Sequence, residues 1–448
     1  MNLHAAAWLF LFITFACLTF RRGSWGIPLY LMSSYLLPSA WGWGEGLLSS
    51  ITSRWSLVAA LIFAAGTLLD QRPRHTERAA PRAVLYLLLL YALNATIIHF
   101  TVADDTEYSW FGFTSLLKTI ILVFVLVHAI KDDFDFRLMV YSIVLFSAYI
   151  GFEVVVLGEG KYSQGRLERV FVCGADGANA IAAVLSVALP LGGYLLFFGS
   201  RLAKCLALPS LVLVLETVLR CVSRGMFLGL IAGAAWFVVV TKGRLRAYAV
   251  LGILLAVAAA SLQMRGSHKE LVFGRFTSSF AAEEERDSSA QSRIEYWRQG
   301  MKMVRDHPLG SGFYAAFRSS RGLAYLEEIG IDVPRSVHNG YIDVAASWGV
   351  QGLILFLAAL GFAWWRLHAA ASHDSEKDPS FIFLGYCLEA TLLTQLTVAM
   401  FGCTLEAEWN WWWIAMAVAY QRILPESVSG EPSEGDASDV TDKGRQTG

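Results

Sequence analysis

Arg335-Ser336-Val337-His338-Asn339-Gly340-Tyr341 closes a polar segment, residues 264–345, that stands between long apolar runs on both sides. Only this segment carries charges, turn residues and aromatics at globular density. Outward from it the chain is greasy: of 448 residues 55% are hydrophobic and 16% charged, where a soluble domain carries about 25% charged residues. Many of the apolar runs reach the roughly 17–25 residues needed to cross a bilayer. The chain therefore reads as an all-α polytopic membrane protein, with about 12–13 transmembrane helices and one long, partly helical loop outside the membrane. Reactive side chains concentrate in loops held by a rigid scaffold, so the chemistry is expected in that loop.

Spans are expected roughly over 3–20, 25–41, 55–70, 82–100, 110–130, 137–157, 176–198, 203–219, 225–241, 246–263, 345–365, 380–402 and 408–423. The 25–41 run is short and holds Pro28 and Pro38, which suits an interfacial or re-entrant segment. Residues 1–263 thus form ten helices with short connections, 264–344 the large loop, and 345–424 three further helices. Residues 425–448 are rich in Ser, Gly and acidic side chains and are expected to be a disordered tail. Arg21/Arg22, Arg72/Arg74/Arg78/Arg82, Lys131/Arg137, Arg201/Lys204, Lys242/Arg244/Arg246, Arg366/Lys377 and Arg422 fall in every second connection, which the positive-inside rule makes cytoplasmic. Asp104-Asp105, the 158–175 connection, Cys221–Arg224 and the long segment then face outward, which in a bacterium is the periplasm. The expected topology puts the active face outside and the C-terminus in the cytoplasm.

The apolar stretch to Phe20 ends in Arg21-Arg22 without a small-residue cleavage site, and reads as a retained helix. Net charge is -1, which gives no argument for nucleic acid. Fifteen Trp and sixteen Tyr suit aromatic belts at the membrane surfaces. The six Cys lack metal-ligand spacing and behave as small hydrophobes, although Cys173 and Cys221 fall on one side, where they could form a disulfide. No internal repeat is visible.

The outward face collects cations: Arg166 and Arg169 before the seventh span, Arg220 and Arg224 around the junction of the eighth and ninth, and Arg293 in the long loop. This runs against the topological bias and asks for an anionic partner, because guanidinium groups bind phosphate bidentately and stay charged when partly buried. A pyrophosphate at the outer membrane surface would fit. The plainer reading pairs Glu216 with Arg220 on one helix face and lets Arg166 and Arg169 snorkel. Glu153, Glu216 and Glu389 lie in or near apolar spans, where a carboxylate is either functional or paired with a neighbouring helix. His338, among turn-forming residues just before a span, has the chemistry of a general base or of a capping residue. Asp133-Phe134-Asp135 has the form of a metal-binding Asp-x-Asp but sits in a very short connection, and reads as a solvated loop. No Gly-rich phosphate loop, zinc signature or Gly-x-Ser-x-Gly elbow occurs. Within the long loop, Arg293 to Arg305 has helical periodicity, with Ile294, Trp297, Met301 and Val304 on one face. Asp306-His307-Pro308-Leu309-Gly310 ends it, and a second element is expected near 321–330.

In order along the chain, these motifs run from Arg166/Arg169 through Gly177-Ala178-Asn179-Ala180 and Ser223-Arg224-Gly225 to Asp287-Ser288 with Arg293 and Trp297. They continue through His307-Pro308-Leu309-Gly310-Ser311-Gly312 to His338-Asn339-Gly340-Tyr341 and Trp348-Gly349-Val350-Gln351-Gly352. Over about residues 160–365 this ordered set resembles the O-antigen ligase and polymerase superfamily of bacterial inner-membrane glycosyltransferases. The N-terminal spans faintly resemble its exosortase-associated branch, but that branch's His-Ser pair is absent and Asp176-Gly177-Ala178-Asn179 stands where a double Asn is usual. The resemblance implies a polyprenyl-pyrophosphate-linked glycan as donor. It implies an acceptor hydroxyl on a glycan, a lipid core or a protein, and no metal, nucleotide sugar or other cofactor. It implies His338 as the base and Arg166, Arg169, Arg220, Arg224, Arg293, Asn179 and Asn339 as substrate-binding residues. The rival class is a glycolipid transporter or flippase, which would place charge deep in the bundle and show internal pseudo-symmetry.

Overall fold

The computed structural model describes residues 3–38, 41–44, 48, 52, 54–73, 82–163, 165–170, 172, 175, 177–263, 288–312, 316–372 and 378–423. Expectations for residues 264–287, the tail, Arg74, Arg78, Cys173, Asp176, Asp287 and Lys377 lie outside the described residues. The first half holds α1 (Leu3–Thr19), α2 (Gly26–Tyr35), α3 (Trp55–Leu69), α4 (Arg82–Thr101), α5 (Thr106–Ala129) and α6 (Asp133–Val155), then a hairpin of β1 (Lys161–Ser163) and β2 (Arg166–Arg169). There follow α7 (Ala178–Ser186), α8 (Ala188–Phe198), α9 (Arg201–Arg220), α10 (Arg224–Val240), α11 (Gly243–Gln263), α12 (Ser288–Asp306), α13 (Ser320–Glu327), α14 (Gly340–Ser372), α15 (Pro379–Ala399) and α16 (Glu408–Ile423). Eight of the resulting spans, with α7 and α8 stacked as one, are long and apolar enough to cross a membrane, and α1, α3 and α10 are shorter apolar helices. In hydrocarbon every backbone group must find its partner internally, so these apolar runs have to be helical. The protein is an all-α polytopic membrane protein.

Helix α16 is the centre of the bundle: every residue from Trp409 to Ile423 is buried. Its tryptophans are core residues whose N–H groups are satisfied inside, which corrects the reading of all Trp as interfacial belt. The Trp413 indole donates to the Leu388 carbonyl at 2.6 Å and that of Trp409 to Gln395 Oε1 at 3.0 Å. The Gln395 amide in turn donates to the Ala183 carbonyl and Ser186 Oγ, both at 3.0 Å, tying α15 to α7. Helices α10 and α15 meet along Gly225, Gly229 and Gly233, spaced so that one small face lets the backbones approach. A Cβ on Gly229 would stand 2.8 Å from the Thr394 carbonyl, and one on Gly233 2.7 Å from that of Ala390. Helix α11, by contrast, is peripheral, with Ala249 its one buried residue.

The basic connections gather at one end of the bundle. There Arg22 binds Asp132 at 2.6 Å and Asp135 at 2.7 Å, Arg72 binds Asp70 at 2.8 Å, and the Lys131 ammonium lies 3.2 Å from Asp70. Burial works against the Asp70 carboxylate, but hydrogen bonds from Arg72, the Gly23 N–H and Lys131 outweigh it and hold its pKa far below the usual value. This contribution is complete at neutral pH and is lost as pH falls below the carboxylate range. The Asp135 side chain is 0% exposed and also accepts the Lys131 N–H at 2.9 Å. The Asp133-Phe134-Asp135 stretch is therefore not a solvated loop, because its second carboxylate locks α6 to the connections after α1 and α3. Asp135→Ala leaves Arg22 and Arg72 without that partner. The expected loss is about 3 kcal/mol, the low end for a broken buried pair because both arginines keep some solvent. A lowered thermal midpoint in detergent checks it.

The three membrane carboxylates all have partners. The His4 ring lies 3.4 Å from Glu153, Arg220 binds Glu216 at 2.8 Å, and Glu389 accepts the Trp236 indole at 2.9 Å beside His368 at 3.1 Å.

Candidate active site at the loop end of the bundle

The described part of the long loop has its own small core of Met303, Phe317, Tyr325, Leu326, Val337, Ile342 and Ala346. The expected helix is present as α12, but only half of its predicted face packs: Trp297 and Val304 lie against this core, while Met301 is 56% exposed and Ile294 43%. The buried side runs through Gln299, Gly300 and Met303. Gly300 explains the offset, since a Cβ there would stand 2.6 Å from Ile342 and 3.2 Å from Val337. The smallest residue of the helix sets its contact line, and a hydrophobic count cannot find it.

Helix α14 is broken at Gly349, whose φ of 79° and ψ of 166° only glycine adopts readily. A break at membrane depth frees backbone groups that must be satisfied. The stretch after α12 does this. Ser311 and Gly312 donate to the Ala346 and Ser347 carbonyls, both at 2.9 Å, and the Val350 N–H donates to the Pro308 carbonyl at 2.9 Å. Asn94 of α4 caps the Trp348 carbonyl at 2.8 Å. The His307–Gly312 and Trp348–Gly352 motifs are thus two halves of one clasp that fixes α12 against α14.

His338 sits just above this clasp, one residue before Asn339, whose side-chain oxygen accepts the Tyr341 and Ile342 N–H groups at 3.0 and 3.2 Å and starts α14. The left-handed φ of 54° at His338 is rare outside glycine and marks strain held by its surroundings. The Trp297 indole donates to the His338 carbonyl at 3.3 Å, and the Tyr296 ring lies 6.2 Å from the imidazole. Arg293 is half-buried one turn earlier on α12. Burial, with the charges of Arg293 and Arg335, pushes the imidazole down to about 4. His338 is therefore neutral near pH 7, the form with a free ring nitrogen, and a weaker base than an exposed imidazole.

Arg224 stands on a neighbouring helix and is half-buried. It is the first residue of α10, whose N-cap Ser223 accepts the Met226 N–H at 3.3 Å. Val222, two residues earlier, is also held at a positive φ, 47°, costly for a β-branched residue. Its neighbour Gly225 packs on Phe401, and the Phe401 ring lies 6.3 Å from Trp297. One chain of contacts therefore joins Gly225, next to Arg224, to the helix of Arg293 and to the His338 carbonyl. Arg220 is held by Glu216, the Val154 carbonyl and the Tyr162 hydroxyl. Arg166 pairs with Glu168 at 3.0 Å and faces the buried Cys221, which is a free thiol. Arg169 is exposed at the end of β2, and Asn179 is half-buried in the first turn of α7. The structure thus brings Arg293, His338 and Asn339 together, and sets Arg166 beside Cys221, three residues before Arg224.

The stretch 400–407 was missed. It forms the floor under His338: a Cβ on Gly340 would meet Leu405 at 2.8 Å, and the Ser336 hydroxyl lies 3.0 Å from Cys403 Sγ. Glu406 there accepts the Tyr91 hydroxyl and, at 3.1 Å, the Trp348 indole. Burial pushes its carboxyl up to about 7, with Asp343 adding to the effect and the two donors opposing it. Its signal in the sequence is a glycine and an acid, Gly402 and Glu406, interrupting apolar spans, but it lies about 60 residues beyond the motif it supports.

The fold is that of a membrane-embedded protein in which Arg293 and His338 lie together near one end of the bundle. Residues 209–357 match the family model described as O-antigen ligase, which supports a relation to the O-antigen ligase and polymerase superfamily. The match runs from within α9 to within α14, so it spans Arg220, Arg224, Arg293, His338 and Asn339 but not Arg166, Arg169 or Asn179. It lends no support to the exosortase-associated branch. No curated protein matches the chain.

Proposed function

We propose that the protein moves a glycan from a polyprenyl-pyrophosphate donor to an acceptor hydroxyl at the periplasmic face of a bacterial inner membrane. Its superfamily implies glycosyl transfer of ligase or polymerase type on lipid-linked glycans. The observation that carries the finer reading is the placing of the Arg293 charge beside the half-buried His338 ring, on a helix whose Trp297 binds the His338 carbonyl and packs on Phe401 next to Gly225 and Arg224. The acceptor oxygen attacks the anomeric carbon as the bond from that carbon to the pyrophosphate oxygen breaks. The hydroxyl proton goes to the neutral His338 ring, and the electron pair leaves with the polyprenyl pyrophosphate. Arg224 and Arg293 face the charge that grows on that leaving group, and fixed cations in a low-dielectric site stabilise it most. Attack from the face opposite the leaving group inverts the anomeric centre.

Arg293 is then expected to have two measurable roles. Arg293→Gln should slow transfer by about 10²-fold, as for loss of one charge-stabilising donor. It should also let the imidazole rise from about 4 toward 6.5, because one of the cations opposing its protonation is gone. Since the neutral ring is the active form, the acid limb of the pH–rate profile should move to higher pH. The test of the reading itself is transfer by the purified protein in detergent, with lipid-linked glycan and acceptor supplied. Release of polyprenyl pyrophosphate in step with glycosylated acceptor supports transfer; a flippase forms no product where there is no second compartment.

A further inference from the structure

The exposed side of α12 carries a second feature. Arg298, Met301, Lys302, Val304 and Arg305 line an open groove of about 670 Å³ with Pro308 and Val350. The charged groups lining it are all cations. Their carboxylate partners stand at its flank: Glu295 on Arg298 at 2.7 Å, Glu328 on Lys302 at 2.6 Å, and Asp306 by Arg305 at 3.6 Å. The Arg298 and Arg305 side chains are 71% and 77% exposed, so these pairs hold little energy and leave most guanidinium N–H groups open to a further anion.

The depth of the groove argues for its occupant. Val350 follows the break in α14 and heads an exposed stripe with Ile354 and Trp365 running down that spanning helix. Asn94 binds the Trp348 carbonyl, so this level of α14 lies beside α4, where Leu93, Ile97 and Phe100 are also exposed. Exposed Met301 and Leu309 extend the apolar surface up to the cations. Three cations above an apolar apron on spanning helices match an amphiphile with an acidic head and hydrocarbon tails.

We propose that this groove binds the acidic headgroup of a membrane lipid in the leaflet at the loop end of the bundle, with its acyl chains along α14 and α4. The groove shares no lining residue with the surroundings of His338 and does not depend on the transfer reading.

The test uses the full chain in phosphatidylcholine bilayers containing a photoactivatable phosphatidylglycerol, with a photoactivatable phosphatidylcholine as control, and maps the labelled peptides. The proposal expects labelling of the Met301–Val350 region by the acidic probe, and little by the control. The variant R298Q/K302Q/R305Q should lose labelling on the order of tenfold, since each cation near a surface contributes about 1 kcal/mol before pairing and screening reduce it. Gln is a good helix former and these positions are exposed, so an unchanged thermal midpoint in neutral detergent certifies the fold. Equal labelling by the two probes, or undiminished labelling of a folded triple variant, overturns the proposal. Full competition by inorganic phosphate at matched ionic strength also overturns it, assigning the groove to free phosphate.

Discussion

His338→Ala should reduce glycan transfer by about 10²–10⁴-fold while the protein still inserts and keeps its thermal midpoint, the range expected when a positioned general base is removed. The structure supports both halves of this result. The imidazole is neutral near pH 7, and the elements that hold it are anchored independently of its ring: Asn339 starts α14, and Trp297 binds the His338 carbonyl. Alanine keeps that carbonyl and adds no bulk. The left-handed φ at this position, 54°, is no easier for alanine, so the strain is unchanged and the effect should be confined to rate. Normal surface glycan in cells carrying this variant would remove His338 from the chemistry.

The second large effect is expected far from any proposed substrate. Gly349→Ala places a Cβ 2.5 Å from the Leu309 carbonyl in a backbone region almost closed to other residues. Either α14 straightens or the 308–312 stretch moves away, and both break the hydrogen bonds from Ser311, Gly312 and Val350. Strain and lost hydrogen bonds together amount to about 3 kcal/mol or more. The bundle is held elsewhere, by α16 and by the glycine line between α10 and α15, so insertion should survive. The clasp should open locally: amide exchange rises at 307–312 and 346–350, and transfer falls because α12 no longer holds Arg293 beside His338. Unchanged exchange at both stretches would show that the clasp is not what fixes α12.

The membrane character, the positions of the helices and the separation of basic from other connections were legible because they depend on runs of residue type along the chain. So was the placing of His338-Asn339-Gly340 at the start of a spanning helix. What was not legible depends on which neighbour each side chain meets. The apolar residues of α12 put Ile294, Trp297, Met301 and Val304 on one face; Trp297 and Val304 do pack, but Gly300 brings α14 to their side and leaves Ile294 and Met301 exposed. Asp135 looked solvated until Arg22 and Arg72 arrived from distant connections. The Trp409–Trp413 run looked interfacial, yet its N–H groups are satisfied by Gln395, Leu388, Glu406 and Glu408 within the bundle. Gly349 is one glycine of a motif in the sequence, and only its backbone angles reveal a broken helix.

The central claim is that Arg293 and His338 act on one reacting centre. A double-mutant cycle on transfer by the purified protein tests it most directly, comparing wild type, Arg293→Gln, His338→Ala and the double variant. Groups that act as a unit are strongly non-additive, so the account predicts that the double variant is scarcely slower than His338→Ala alone. Losses that multiply in full would show two independent contributions and contradict a shared site.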